Sequence, residues 1–331
     1  MSADQGYSGG QLEYGKCLAK GNGVAKDVQE AARYVKLSAD QGDPKGQGYY
    51  GACLLIGKGV TKDVAAAARY FRQSADQGES EGQYSYGKCL ATGFGVAKDV
   101  AAAARYLRLS ADQGNSQGQY DYGKLLLNGD GIPRNVEAAA QYFRRSADQC
   151  NPDGQCAYGR CLANGLGVAK DVEAATRYFK LSADQGNREG PANYGVSLAN
   201  GRGVAKDVAT GARYLRLAAD RGSSTGQNGY AVCLMNGQGV TKDVTAAARY
   251  FLRAAYQGNP EAQVSYGLCL LTCDGVARDA ATAARYFRLS AGQGNPTGML
   301  LYGRCLMNGE GVAKDALAGR RYLEAAAQCG L

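Results

Sequence analysis

The sequence predicts an all-α solenoid of nine 36-residue helix-turn-helix repeats. Three observations carry that prediction. A Tyr-Gly pair, first met at Tyr14-Gly15, returns every 36 residues without insertion at Tyr50, Tyr86, Tyr122, Tyr158, Tyr194, Tyr230, Tyr266 and Tyr302, with Ala231 the one replacement for the glycine. Apolar residues inside each unit are spaced three and four apart, the period of an amphipathic helix. Units this short cannot bury their apolar faces alone, so neighbours must stack. The repeats run 7–42, 43–78, 79–114, 115–150, 151–186, 187–222, 223–258, 259–294 and 295–330, and they make one domain of the whole chain.

Each element has a residue-level reason. The first helix of a unit spans about Gly10 to Lys20, with Tyr14, Cys17 and Leu18 on one face. It stops at Gly21-Asn22-Gly23-Val24, where glycine accepts the left-handed backbone of a helix cap. Asp27 then stands where a helix N-cap belongs, and eight of nine units keep Asp there, with Asn135 the equivalent exception. The second helix continues through Ala31-Ala32-Arg33-Tyr34 to Ala39 and ends at Gly42, a phase that holds Cys150 in one unit. Residue types recur in register. Nine of the 23 Tyr share the phase of Tyr14 and nine share that of Tyr34, which leaves Tyr7, Tyr49, Tyr84, Tyr120 and Tyr256 out of phase. Seven of the 11 Cys (Cys17, Cys53, Cys89, Cys161, Cys233, Cys269, Cys305) share another phase, filled by Leu125 and Ser197 elsewhere. A slot that takes Cys, Leu or Ser reads as a buried helix position.

Composition excludes whole classes of chemistry. The 331 residues include no His and no Trp, which removes His acid–base catalysis, Ser-His and Cys-His nucleophile pairs and His-ligated metals. Forty-eight Gly, six Pro and 45% hydrophobic residues fit neither a collagen-like nor a disordered chain. No run of 18 apolar residues occurs, and Met1-Ser2-Ala3-Asp4-Gln5-Gly6 lacks the pattern of a signal peptide, so a cytoplasmic protein is expected. The Gly-x-Gly turns precede helices as phosphate loops do, but they recur in eight of nine repeats, with Cys273-Asp274-Gly275 in the other, beside N-cap carboxylates or their Asn equivalent, so they read as structural turns. Cys150, Cys156 and Cys161 cluster without a fourth ligand, so no metal and no cofactor is expected. An odd cysteine count and helix-packing distances of about 8–10 Å between same-phase thiols point to reduced cysteines.

The residues now in hand resemble a family. Tyr86-Gly87, Gly93-Phe94-Gly95-Val96, Asp99, Ala104-Arg105-Tyr106 and Ser110-Ala111-Asp112-Gln113-Gly114 follow the pattern of Sel-1-like repeats, relatives of the tetratricopeptide repeat, and the match returns nine times. The resemblance implies a right-handed α-α superhelix that acts as a non-enzymatic scaffold or adaptor for protein partners. Two departures stand out. Tyr replaces the usual Leu before the glycine, and Gly10, Gly46, Gly82 and their equivalents replace Ala, with Ala262 alone conforming. Interior glycine costs a helix roughly 1 kcal/mol, so the first helix is expected either to begin after it or to pack more loosely.

By the same resemblance, the first helices line a concave groove through the positions two before and two after the phase Tyr. These positions give Tyr84, Lys88, Tyr120, Lys124 and Arg160 in repeats three to five, an aromatic and cationic strip. They give Val196, Val232, Val264 and Leu268 in repeats six to eight, an apolar strip. In repeat two they hold only Gly48 and Ala52. The expected partner is a protein or peptide, with an acidic-apolar segment matching both strips. The amides of Asn128, Asn164, Asn200, Asn236 and Asn308 precede turn residues and read as C-terminal caps. Paired cations on the second helices, such as Arg69 and Arg72, read as a solvated outer face. A net charge of +8 is modest for a nucleic-acid binder, and an RNA-binding helical-repeat solenoid is the alternative reading. Both ends of the sequence are in phase with the repeat, which predicts either a piece of a longer array or end-to-end self-association.

Overall fold

A computed structural model describes residues 5–330, which contain eighteen α-helices. The chain divides into two compact units after Lys170. The first unit holds α1 (Ser8–Lys20), α2 (Val28–Asp40), α3 (Pro44–Ile56), α4 (Val64–Asp76), α5 (Ser80–Thr92), α6 (Val100–Asp112), α7 (Ser116–Asn128), α8 (Val136–Asp148) and α9 (Pro152–Asn164). The second holds α10 (Val172–Asp184), α11 (Gly190–Asn200), α12 (Val208–Asp220), α13 (Ser224–Asn236), α14 (Val244–Tyr256), α15 (Pro260–Thr272), α16 (Ala280–Gly292), α17 (Pro296–Asn308) and α18 (Ala316–Gln328). Within each unit every helix packs on its sequence neighbours. Odd-numbered helices also touch one another, as α1 does α3 and α11 does α13, so each unit carries a layer of first helices and a layer of second helices.

The capping expected from sequence is present. The Asp27 carboxylate accepts from the Gln29 and Glu30 amides, and Asn135 accepts from that of Ala138. The glycines of the turn serve two needs at once. Gly59 lies at φ 72°, and a Cβ there would run into the Val28 carbonyl of the preceding repeat. That turn is therefore wedged against the helix behind it.

Glycine near the start of each first helix has the opposite meaning to the one expected. The helix α3 begins at Pro44 and includes Gly46 in its first turn, where a Cβ would collide with the Ser38 hydroxyl of α2. Gly82 meets Ser74, Gly154 meets Ser146 and Gly298 meets Ser290 in the same way. The packing is tighter than usual, and glycine is the residue that permits it. Three of these buried serines spend their hydroxyls on carbonyls 30 residues back, Ser74 on Pro44 at 2.6 Å, Ser146 on Ser116 at 2.7 Å and Ser290 on Pro260 at 2.9 Å, while Ser38 donates to the Asp43 carboxylate at 2.8 Å. Ala262, the one conforming alanine, follows a second helix that carries Ala254 in place of serine.

Two further ties close hairpins within the units. The phase tyrosines stack edge to face, with centroids 4.8 Å apart for Tyr14–Tyr34 and 5.2 Å for Tyr230–Tyr250, an arrangement worth about 0.5–1.5 kcal/mol beyond burial. A glutamine ending the second helix donates to a buried glutamine in the first: Gln41 to Gln11 at 2.7 Å, Gln77 to Gln47 at 2.8 Å and Gln257 to Gln227 at 2.8 Å. The two partners are lost together. Pro191 and Met299 take the first position in the repeats where Arg221 and Cys329 take the second.

Cysteines of the common phase are buried in five repeats and half-buried at Cys17 and Cys53. Burial pushes the Cys161 and Cys269 thiols up to about 11, so they stay protonated and act as apolar groups. Cys150 and Cys273 are different: both are exposed and sit in left-handed backbone, at φ 60° and 64°. Among the described residues no three Cys, Asp or Glu side chains converge as metal ligands do. Cys89→Ser should therefore cost about 1–3 kcal/mol through a poorly partnered buried hydroxyl. Cys150→Gly should instead stabilise by about 1 kcal/mol, because the left-handed penalty disappears. Thermal melts of the two variants check both signs.

Candidate functional site

In the first unit the sides of α1, α3 and α5 away from the Tyr pairs form a continuous depression. A cleft of about 230 Å³ lies between α1 and α3, walled by Ala19, Val35, Ala52, Cys53 and Ile56 and rimmed by Lys16, Lys20 and Lys58. It adjoins a hollow of about 510 Å³ through Lys16, Tyr49 and Ala52. That hollow exists because Gly48 and Ala52 are small where the next repeats carry Tyr84 and Lys88. A third hollow of about 350 Å³ follows over Phe71 and ends at Tyr84, Lys88 and Phe94. The Lys16 ammonium lies 4.4 Å from the centre of the Tyr49 ring and 2.7 Å from Glu13. Burial works against that charge, but the Glu13 hydrogen bond and the Tyr49 ring outweigh it and hold the amine above its ordinary pKa.

The aromatic and cationic strip continues along α5, α7 and α9. Four of its five residues, all but Arg160, interact with one carboxylate. Asp121, on α7 and buried, takes the Lys88 ammonium at 3.0 Å and lies 3.9 Å from that of Lys124. Burial, then the Asp121 charge and hydrogen bond, drive the Tyr84 phenol far above its ordinary range. Tyr120 packs its ring 6.0 Å from Phe143 with the Lys124 ammonium 5.4 Å from its centre. Burial and the charges of Asp153 and Asp121 push it up to about 12, against the opposing pull of Arg160. Arg160 itself is exposed. The row of cations expected from sequence is thus partly neutralised from beneath by Asp121.

In the second unit Val196 is half-buried on α11, while Val232 on α13 and Leu268 on α15 stand 36% and 39% exposed. Val264 departs from the expected strip, with only 7% of its surface exposed. The physical reason is depth. Positions two before the phase Tyr tuck between neighbouring first helices, as buried Leu12, Cys156 and Ala192 also show. Positions two after it remain at the surface. Asn228, at the deeper level, leaves its Oδ1 buried without a hydrogen-bond partner. Two of the asparagine amides cap as expected, Asn164 donating to the Arg160 carbonyl and Asn200 to that of Val196, both at 3.0 Å, whereas Asn128 donates to the Asp130 carboxylate at 3.0 Å.

Sequence reasoning missed Asp121, Tyr49, Lys20, Ile56 and Lys58. Their signal was a break of phase: Tyr49 is one of five tyrosines outside the two tyrosine registers, and Ile56 stands where other repeats carry Lys, Thr or Asn.

The Sel1 repeat family model matches residues 8–43, 44–79, 80–115, 116–149, 152–187, 191–223, 224–259, 260–295 and 296–331. The chain belongs to the Sel1 repeat family. It is similar to c5321, a protective antigen of uropathogenic Escherichia coli with an SLR fold, at 28% identity and a TM-score of 0.61 over 98% of this chain and 77% of that one. It is also similar to a Sel1 repeat protein from Oxalobacter formigenes, at 28% identity and a TM-score of 0.57 over 90% of this chain and 86% of that one. No curated protein matches the chain. Sel1 repeats generally serve protein–protein interaction and are generally non-catalytic. No described helix is long and apolar enough to cross a membrane.

Asp121→Ala should lower stability by about 1–3 kcal/mol, because the lysines and Tyr84 lose a shared partner. It should also let Tyr84 ionise at lower pH, since the negative charge that opposes tyrosinate is gone. In the parent protein raised tyrosine pKa values favour the folded state below about pH 10. That contribution should drain away as pH climbs from 10 through the raised values, because the unfolded chain releases its phenolic protons first. Ultraviolet titration and alkaline melts check both.

Proposed function

We propose that this Sel1 repeat protein is a non-enzymatic scaffold whose first helices hold an extended segment of a protein partner. In the first unit that segment would run from the cleft between α1 and α3 to the strip of Tyr84, Lys88, Tyr120, Lys124 and Arg160. The apolar surface of Val196, Val232 and Leu268 is a second docking strip in the other unit, with Val264 backing it from the core. The observation that supports the reading best is the continuous depression over α1, α3 and α5, made by two small residues in one repeat. Its apolar walls and rim of Lys16, Lys20 and Lys58 suit a segment that places an apolar side chain beside Asp or Glu. Preference for acid rests on Lys20 and Lys58 of this rim more than on Lys16, already paired with Glu13, or on Lys88 and Lys124, which share Asp121.

End-to-end association meets an obstacle. Arg320 stands exposed at the position held by Ala32, Ala68, Ala104 and their equivalents, so a stacked copy would have to bury a guanidinium.

Affinity capture with the full chain, read by mass spectrometry, tests the proposal. Gly48→Tyr fills the central hollow with the residue that repeats three and four carry there, and a Cβ at Gly48 meets only the Ser74 hydroxyl, at 3.5 Å. The variant should fold as the parent does and lose its partner. Lys88→Gln, Lys124→Gln and Arg160→Gln together should weaken capture several-fold without pressing new carboxylates against Asp121. Undiminished capture by both variants would place binding elsewhere.

A further inference from the structure

The outer face of the second helices carries a repeated charge device that stops part-way along the chain. In repeats one to six an Asp in the last turn pairs with the cation four residues before it: Arg72 with Asp76 and Arg108 with Asp112 at 3.4 Å, Lys180 with Asp184 at 2.8 Å, and Arg216 with Asp220 at 3.9 Å. The same aspartates accept from a tyrosine of the next repeat, as Asp76 does from Tyr106 at 2.8 Å and Asp112 from Tyr142 at 2.7 Å. In repeats seven, eight and nine the position holds Tyr256, Gly292 and Gln328, and the cation position four residues before it holds Leu252, Arg288 and Glu324, so Arg288 alone loses an aspartate partner. Tyr256 keeps the structural half of the task, since its hydroxyl meets that of Tyr286. It supplies no charge.

Arginines at the neighbouring positions of that face have no aspartate beside them. Arg249 and Arg253 on α14, Arg285 and Arg288 on α16, and Arg321 on α18 are all exposed, and none forms an ion pair among the described residues. Glu324 is the one carboxylate on the outer stripe of these three helices. The modest +8 of the whole chain therefore hides a local excess. Two further features bear on what would cover it. Every cation here is an arginine, whose fork matches phosphate oxygens and whose plane stacks on bases. Beside them the Tyr256 ring is 78% exposed and offers a stacking surface. Leu289 and Leu317 also stand exposed on these helices, which makes a lipid surface the rival to be tested.

We propose that the outer face of α14, α16 and α18 binds the phosphate backbone of single-stranded nucleic acid, through Arg249, Arg253, Arg285, Arg288 and Arg321, with Tyr256 stacking on a base. The surface lies on different helices from the depression of the first unit and stands or falls independently of it.

The test restores the missing aspartates. In Tyr256→Asp/Gly292→Asp both positions regain the residue that six other repeats carry. A Cβ at Gly292 meets nothing within 4 Å, so the fold should tolerate the change. Fluorescence anisotropy with a labelled 20-nucleotide single-stranded RNA should show binding by the full parent chain that weakens steeply with KCl. Contact with about four phosphates gives a log–log slope near −3. The double variant should bind at least tenfold more weakly at 50 mM KCl with an unchanged melting temperature, and Arg253→Gln/Arg288→Gln should flatten the slope. Failure of the parent chain to bind, or equal binding by both variants, would overturn the proposal. So would capture by phosphatidylserine vesicles, or by polyglutamate, with no binding of the RNA.

Discussion

The close approach of each first helix to the second helix of the repeat before it is the constraint on which the rest depends. Glycine at Gly46, Gly82, Gly154 and Gly298 lets the backbone come so near that the facing serine has no room for a Cβ opposite it. The serine hydroxyl, sealed by that contact, must find its acceptor close by: Ser74, Ser146 and Ser290 take a carbonyl at the start of their own hairpin, and Ser38 takes the Asp43 carboxylate. One contact thus fixes the spacing between repeats and the geometry within them. The edge-to-face tyrosines and the glutamine clasp then hold the hairpin whose position the glycine has set. A helix-propensity cost of roughly 1 kcal/mol per glycine is offset by dense packing along each unit.

Because the first helices are brought side by side, the size of one or two surface residues decides whether their shared face is filled or hollow. Tyr84 and Tyr120 fill it, and Gly48 and Ala52 open it. The second helices present an opposite face where the same economy applies to charge. Six repeats close a cation with an aspartate; the last three lack that aspartate, and the exposed arginines of their face stand without an ion pair among the described residues. Both candidate binding surfaces are departures from the repeat rather than parts of it.

Much of this was legible in the sequence. An uninterrupted period of 36 residues gives the number of hairpins, Asp27 and its equivalents give the start of each second helix, and the shared cysteine phase gives core positions. What was not legible had specific causes. Periodicity assigns a residue to a face but not to a depth, so Val264 was grouped with Leu268 although one is buried and the other exposed. Propensity treats glycine as a weakness, and only the facing Ser38 reveals it as a fit. Asp121 looked like an ordinary polar residue until the fold set Lys88 and Lys124 around it. The glutamine clasp joins residues 30 apart whose pairing shows in sequence only through joint loss at Pro191 with Arg221 and at Met299 with Cys329.

The central claim concerns Gly82 and Ser74, and equilibrium unfolding of two variants tests it most directly. Helix propensity alone predicts that Gly82→Ala stabilises the array by about 1 kcal/mol. The packing described above predicts the reverse: Gly82→Ala should destabilise, and adding Ser74→Ala, which copies the Ala254 and Ala262 combination, should recover most of the loss. A stabilised Gly82→Ala protein, or a double variant no better than the single one, would contradict the account.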